Sequence, residues 1–202
     1  VTSRRTLSLL GACAVTVSVA ACGAHSDATP PHEVRGQRVV YIPGLTGNPF
    51  YTSVSCGAEA EARKRGIDYS TQGAAEFSVQ LQTQIVEAVA ASHPSAIMIA
   101  VTNPKAMIAP LREAKREGIN VITIDGDLSD KSIALTNIES DNYRGGQLAG
   151  EKMAQLVGRK GDVVDIDSAT GSVVAEARRE GFIDAIKRYP QMNFIGVCLL
   201  YT

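Results

Sequence analysis

From Arg38 onward, short runs of β-branched and aliphatic residues alternate with longer segments whose apolar positions recur at helical spacing. Arg38–Ile42 predicts a strand. Phe50–Arg65 predicts a helix stopped by Gly66, behind the basic run ARKR that suits a helix C-terminus. Ile67–Thr71 predicts a second strand. Phe77, Leu81, Ile85 and Val89 recur every four residues and predict the buried face of a helix ending near Ser92. Ala96–Val101 predicts a buried strand. Asn103-Pro104 predicts a capped turn before a helix that stops at Gly118, with Pro110 in its first turn or kinking it. Ile119–Ile124 predicts the next strand. Beyond Asp125 the rhythm pauses, then resumes with a short strand at Ser132–Ile138 and a helix capped by Asp141. A strand at Asp162–Asp167, a helix at Val173–Tyr189 and a strand at Asn193–Val197 complete the pattern.

Strands alternating with helices imply right-handed crossovers and an α/β fold, with parallel sheets flanked by helices on both faces. The nearly continuous apolar strands agree with burial on both sides. The pause near Ile138–Ser140 marks an expected boundary between an N-terminal lobe at 38–139 and a partial C-terminal lobe at 140–197, so the second lobe is expected to be incomplete. No internal repeat is evident by residue identity.

Residues 1–21 read as a segment apart. Arg4 and Arg5 form a basic start, Leu7–Val19 is mostly apolar, and Val19-Ala20-Ala21 places small residues before Cys22. This is the pattern of a secretory signal, short of the ~20 apolar residues that span a membrane comfortably. "VAAC" resembles a bacterial lipobox, so Cys22 is the expected lipidation site. Two acyl chains on one residue would anchor the protein stably to the membrane. "SRRTLS" more faintly resembles a twin-arginine export signal. Residues 22–37, with Pro30 and Pro31, read as a linker. At the other end, Cys198–Thr202 (CLLYT) is what the sequencing-library transposon end TGTCTCTTATACACA encodes in one frame. The expectation is an adapter-derived tail at 198–202 on an N-terminal fragment that ends natively near Val197. Native codons running through Cys198–Thr202 at the resequenced locus would refute it.

Composition adds little and excludes much. The chain is 45% hydrophobic and 20% charged, with a formal net charge of -1, so it carries no electrostatic footprint for nucleic acid. Four cysteines allow two disulfides on paper. Cys13 leaves with the signal, however, and Cys22 is the expected anchor. Cys198 lies in the tail, and Cys56 reads as a small packed residue of the first helix. The three histidines pair with no cysteine or carboxylate at metal-ligand spacing. "GLTG" is neither a P-loop nor a dinucleotide fingerprint, there is no G-x-S-x-G elbow, and no nucleophile converges on the aspartates. No cofactor, no metal and no catalysis are expected.

Ligands of open α/β sheets lie beyond the carboxyl ends of the strands. The first strand delivers Asn48, Phe50 and Tyr51, the third Thr102 and Asn103, and the fourth Asp125 and Asp127. The loop after Asp167 leads to Arg178. Aromatics are scarce, four Phe and six Tyr with no Trp, yet two stand side by side here. Aromatic faces with planar polar groups suit a sugar. Each ring buries ~150–250 Å² against apolar C–H faces, and each charged hydrogen bond to a hydroxyl contributes ~1.5–3 kcal/mol. Together these could reach about -8 kcal/mol, a micromolar dissociation constant. Each residue also has a plainer use. Phe50 and Tyr51 could open a helix and pack its core. Asn48, Asn103, Asp125 and Asp127 could form turns and caps, and Arg178 could be a solvated helix charge.

The stretches "GNPFYTSVSCGAEAEA", "NPKAMIAPLREAKREGINVITIDGD", "SDNYRGGQLAG" and "ARREGFIDAIKRYP" follow one another over Arg38 to about Val197. In that order they resemble the solute-binding proteins of sugar ABC importers, of the ribose-binding type. "IAVTNPKAMIAPLREA" with "IDGD" looks closest to the branch of rhamnose and autoinducer receptors. The resemblance implies two Rossmann-like lobes (periplasmic-binding-protein type I) closing on one monosaccharide. It implies delivery to ABC permease subunits by a monomeric, lipid-anchored, extracytoplasmic protein. By motif match it places Phe50 and Tyr51 as stacking rings, Asp125 as the hydroxyl-accepting carboxylate and Arg178 as the second-lobe arginine, with Asn48 and Asp127 secondary. Two positions depart from the family. Gly44 stands where autoinducer receptors carry a lysine, and Ala100 where ribose-binding members carry an asparagine. A sugar-sensing subunit of a membrane receptor is the alternative. A lactose-repressor-like regulator would need a helix-turn-helix where the signal and linker lie.

Overall fold

Residues 38–138 build a five-stranded parallel sheet in the computed structural model, which describes residues 35–167 and 172–199. The strands are β1 (Arg38–Ile42), β2 (Asp68–Thr71), β3 (Ala96–Ile99), β4 (Asn120–Ile124) and β5 (Thr136–Ile138). They lie in the order β2-β1-β3-β4-β5, every neighbour parallel. Parallel neighbours need crossovers. Helices α1 (Pro49–Arg65), α2 (Val79–Ala90) and α3 (Ile108–Arg116) supply the first three. From β1 the chain crosses to one side for β2, then returns past β1 to build β3, β4 and β5. The loops leaving β1 and β3 therefore diverge and open a crevice at the carboxyl end of the sheet.

Alternation along the strands decides the core. Val40, Ile42, Ile97, Ile99 and Val121 face the same side and bury against Val86 and Val89 of α2 and Leu111 of α3. Helix ends follow local chemistry. Gly66, at φ 68, closes α1 by returning its N–H to Ala62 and Arg63 carbonyls. Gly118 takes the same left-handed region after α3, and Pro110 falls in the first turn of α3.

Four expectations are corrected. α2 starts at Val79 behind a Ser78 cap, whose hydroxyl accepts from Leu81 N–H at 3.4 Å. Phe77 is outside the helix, and Phe77 and Leu81 are exposed. The buried face is Gln82, Val86, Val89 and Ala90, because a four-residue period drifts about 40° per step around a helix of 3.6 residues per turn. β3 stops at Ile99 rather than Val101, since Gln82 takes the next backbone groups. β5 begins at Thr136 rather than Ser132, since Asp130 accepts from the Ser132 N–H (3.0 Å) and hydroxyl (2.7 Å) and holds a turn there. Cys56 is exposed, not packed: the sheet-facing side of α1 carries Tyr51, Ser55, Ala58 and Ala62.

Helix α4 (Asn142–Leu156) starts at Asp141, whose carboxylate accepts from Arg144 N–H at 2.9 Å. It leads to β6 (Lys160–Asp167), α5 (Val173–Ile186) and β7 (Gln191–Leu199). β6 and β7 pair in parallel from Lys160↔Gln191 to Asp167↔Leu199, with a register irregularity at Val163/Val164. α4 and α5 approach backbone to backbone. A Cβ at Gly146 would land on the Arg178 carbonyl, and one at Gly181 on the Tyr143 carbonyl. One face of this small sheet packs Val163 and Met192 against Ala154 and Ile186. Val164, Ile166, Ile195 and Val197 are exposed. The described residues form one compact unit. Among the described residues no helix is long and apolar enough to cross a membrane. The expected signal segment, Cys22 and tail residues 200–202 lie outside the described residues.

Candidate functional site

Asp125 follows the last residue of β4 and takes φ 67, a left-handed conformation. That costs most side chains roughly 1–2 kcal/mol, and Asp and Asn bear it best. The turn is fixed by Asp125 N–H donating to the Ile138 carbonyl (2.9 Å) and Gly126 N–H to the Ile124 carbonyl (2.8 Å). The turn brings the carboxylate towards the helix that follows β1, where the Tyr51 hydroxyl donates to its Oδ2 at a long 3.5 Å.

Tyr51 is placed by the start of α1. Asn48 caps that helix, its Oδ1 accepting from Phe50 N–H at 2.9 Å, and Pro49 opens it. Phe50 and Tyr51 thus share the first turn, with ring centroids 5.3 Å apart and planes at 68°. Phe50 remains 47% exposed, a large apolar face at the crevice. Arg178, on α5, donates from Nε to Asn142 Oδ1 at 2.9 Å, and its charge acts on both Asp125 and Tyr51.

Burial pushes the Asp125 carboxyl above its ordinary range. The Arg178 charge and the Tyr51 hydroxyl oppose this, and Glu139 adds to it. The same burial, with the Asp125 charge and hydrogen bond, pushes the Tyr51 phenol up to about 12 against the pull of Arg178. Tyr51 is therefore a proton donor at every physiological pH. The site presents an incompletely solvated carboxylate, a phenol donor, a guanidinium and an open ring face.

The other predicted residues are engaged locally. Asn48 is the cap just described. Asn103 Oδ1 accepts from Lys105 N–H (3.0 Å) and Ala106 N–H (2.9 Å). Asp127 Oδ1 accepts from the Thr123 hydroxyl and Leu128 N–H, both at 2.8 Å, and Oδ2 accepts from Lys131 at 2.6 Å. Burial alone would raise the Asp127 carboxyl, but Lys131, Thr123 and Leu128 together hold it below its ordinary range. Asp127 lines a cavity of about 670 Å³ with Glu139, Asn142 and Val173 that includes none of Phe50, Tyr51, Asp125 or Arg178. Phe50, Tyr51, Asp125 and Arg178 are thus brought together, while Asn48, Asn103 and Asp127 brace the loops around them. Among the described residues no cluster of His, Cys, Asp and Glu could hold a metal.

Two participants escape the sequence pattern. Phe77 reads there as a helix-face residue, but it stands in the loop before α2 at 40% exposure. A Cβ at Gly44 would lie 2.7 Å from the Tyr51 hydroxyl and 2.8 Å from the Phe77 ring. Gly44 thus lets both rings close on the β1–α1 loop, and no larger residue fits there without moving Tyr51. The signal was present in Ser78, a good cap residue immediately after Phe77. Asn142, the Arg178 partner, passes in the sequence for an ordinary first-turn helix residue.

Comparison with known proteins supplies the lineage. The periplasmic binding protein domain matches residues 39–201. The D-apiose import binding protein of Actinobacillus succinogenes is 29% identical over 150 residues, 74% of this chain and 48% of that protein. The galactofuranose-binding protein YtfQ of Escherichia coli is 34% identical over 143 residues, 68% of this chain and 44% of that protein. An ABC transporter solute-binding protein from Agrobacterium vitis, solved with α-D-tagatopyranose, matches with a TM-score of 0.79 at 32% identity, covering 81% of this chain and 58% of that one. The chain spans about half the length of the curated relatives it matches. These relatives are solute-binding proteins, not enzymes. With its parallel α/β sheet and a crevice at the β1/β3 switch point, the chain belongs to the periplasmic binding protein family.

Proposed function

We propose that this protein captures a monosaccharide at the crevice and delivers it to the permease of an ABC importer outside the cytoplasm. The observation that carries this is Asp125, a half-buried carboxylate on left-handed backbone beside the Tyr51 hydroxyl, the Arg178 charge and exposed Phe50. Sugar hydroxyls donate to Asp125 and accept from Arg178, while the C–H face lies on the Phe50 and Tyr51 rings and Phe77 closes one side. Asn48, Asn103 and Asp127 hold the loops around the sugar. The ligand bridges this lobe to the α5 side, so contacts available only when shut favour a hinge closure. Cys22 carries the lipid anchor, and the protein acts as a monomer.

The relatives are named for D-apiose and galactofuranose, and solved neighbours hold tagatopyranose or D-arabinose. The stretch IAVTNPKAMIAPLREA leans instead to the rhamnose branch. Calorimetric titration with D-apiose, D-ribose, D-arabinose, D-tagatose and L-rhamnose tests this. A micromolar dissociation constant for at least one is expected, weakened roughly 10- to 100-fold in Asp125→Asn by loss of charged hydrogen bonds. Failure of every sugar to bind, or unchanged affinity in Asp125→Asn, refutes the assignment.

A further inference from the structure

We propose that Gln82 is the positioning residue of the crevice, a buried amide on α2 that ties the carboxyl ends of β1 and β3 together where their loops part. This rests on the sugar-capture function for its consequence, not for its geometry. Gln82 is 1% exposed. Its Nε2 donates to the Ala100 carbonyl at 2.8 Å and the Pro43 carbonyl at 3.3 Å, and its Oε1 accepts from Thr102 N–H and the Thr102 hydroxyl, both at 2.8 Å. These four bonds use both donors and both lone pairs of a primary amide, which fixes its orientation.

The need for such a residue follows from the topology. The β1–β3 ladder ends where Ala100 N–H donates to Ile42 at 2.9 Å. Pro43 has no N–H to continue it, and the two chains then leave in opposite directions. The Pro43 and Ala100 carbonyls and the Thr102 N–H are thereby stranded beside an apolar core, where unpaired backbone groups are costly. Gln82 satisfies all three. The tie reaches the binding groups through one residue. Gly44 follows Pro43 and abuts the Tyr51 hydroxyl and the Phe77 ring, and the Tyr51 hydroxyl reaches Asp125. A shift of the Pro43 carbonyl therefore displaces the floor on which Tyr51 rests.

Two variants separate this role from core filling. Gln82→Leu removes all four bonds at similar volume. Gln82→Glu keeps the acceptor half, but when ionised it turns an oxygen against the Pro43 and Ala100 carbonyls. Protonated, it donates again to one of the two carbonyls. The expected result for Gln82→Glu is amide exchange at Thr102 and Leu45–Gly47 at least about tenfold faster than in the parent at pH 8 and returned most of the way to the parent's rate near pH 4.5, with Val40 and Ile97 unchanged. Gln82→Leu is expected to speed the same amides at both pH values. Parent-like exchange at Thr102 and Leu45–Gly47 in both variants overturns the proposal. So does equal acceleration at Val40 and Ile97, which would make Gln82 a core residue only. If neither variant folds, the parent decides by itself: Gln82 side-chain NH₂ protons that exchange as fast as a free amide overturn the proposal, and protected ones sustain it. Titration with D-apiose and D-arabinose is the separate arm, with affinity in Gln82→Glu expected to fall about tenfold at pH 8. Absence of sugar binding by the parent defeats the sugar-capture function, while the exchange rates still decide the role of Gln82.

Discussion

Under the proposed function, Asp125 couples sugar binding to stability with an unusual sign. Its folded-state carboxyl is raised, chiefly by burial, so the folded protein holds the proton more tightly than the unfolded chain. Its contribution is most favourable below the unfolded value of about 3.9. That contribution is lost as pH rises through the folded value. Asparagine tolerates the same left-handed backbone and carries no charge. Urea melts from pH 3 to 7 are therefore expected to show Asp125→Asn gaining stability over the parent as pH rises, while it loses sugar affinity. A constant difference across that range would refute the coupling. Nearby Asp130 runs the other way: Ser132 and Arg112 lower it to about 2, so its contribution fades as pH falls from about 4 towards 2. Phe77 makes a second test. A buried Phe→Ala change costs about 3–5 kcal/mol, but this ring is 40% exposed. Phe77→Ala is expected to cost about 1 kcal/mol in a denaturant melt while weakening sugar binding several-fold. Phe50, Tyr51 and Asp125 were legible because strand ends and residue chemistry single them out. Phe77 and Gln82 were not, because an apolar residue in a four-residue row and a glutamine in a helix both pass for ordinary helix positions.

Elements were legible in kind and order, and their ends less so, because capping side chains set the ends. Ser78 starts α2 after Phe77, Asp130 delays β5, and Gln82 ends β3. None of these contacts is visible in periodicity. The α4–α5 contact is likewise invisible as a sequence pattern, although its glycines are plain to see. Replacing an exposed mid-helix glycine by alanine stabilises a helix by ~0.8–1.0 kcal/mol. At Gly181 the added methyl would land on the Tyr143 carbonyl, and overpacking of that kind costs about 1–3 kcal/mol. The second effect wins, so Gly181→Ala is expected to lower the melting temperature. A rise would show that α4 and α5 yield easily. Since Arg178 lies one turn before Gly181 on α5, the same change should also weaken sugar binding.

At the scale of the whole molecule, strand–helix alternation foretold a parallel sheet but not the order β2-β1-β3-β4-β5. Crossovers of similar length allow a strand to be added on either side, and only the packed core discriminates. That order is what opens the crevice between β1 and β3. The small β6–β7 sheet keeps Val164 and Ile166 exposed on the face away from Val163, with Ile195, at the register irregularity, and Val197 of β7 exposed as well. The proposed lipid anchor at Cys22 belongs to this scale too. Cys22→Ser is expected to move the protein from the membrane fraction to the soluble fraction of its bacterial host, and retention in the membrane would refute lipidation at Cys22.

The chain has six tyrosines and no tryptophan, so its ultraviolet emission comes from phenols alone. A carboxylate hydrogen-bonded to a phenol quenches that emission, and the Tyr51 hydroxyl donates to Asp125, so Tyr51 is expected to be dim. A sugar that engages the carboxylate should brighten the protein, and Asp125→Asn should be bright with no sugar present. In an alkaline absorbance titration, Tyr51 should ionise near 12, well after an exposed phenol. With those outcomes the crevice would carry its own optical readout, and ligand screening would need neither a dye nor a tag.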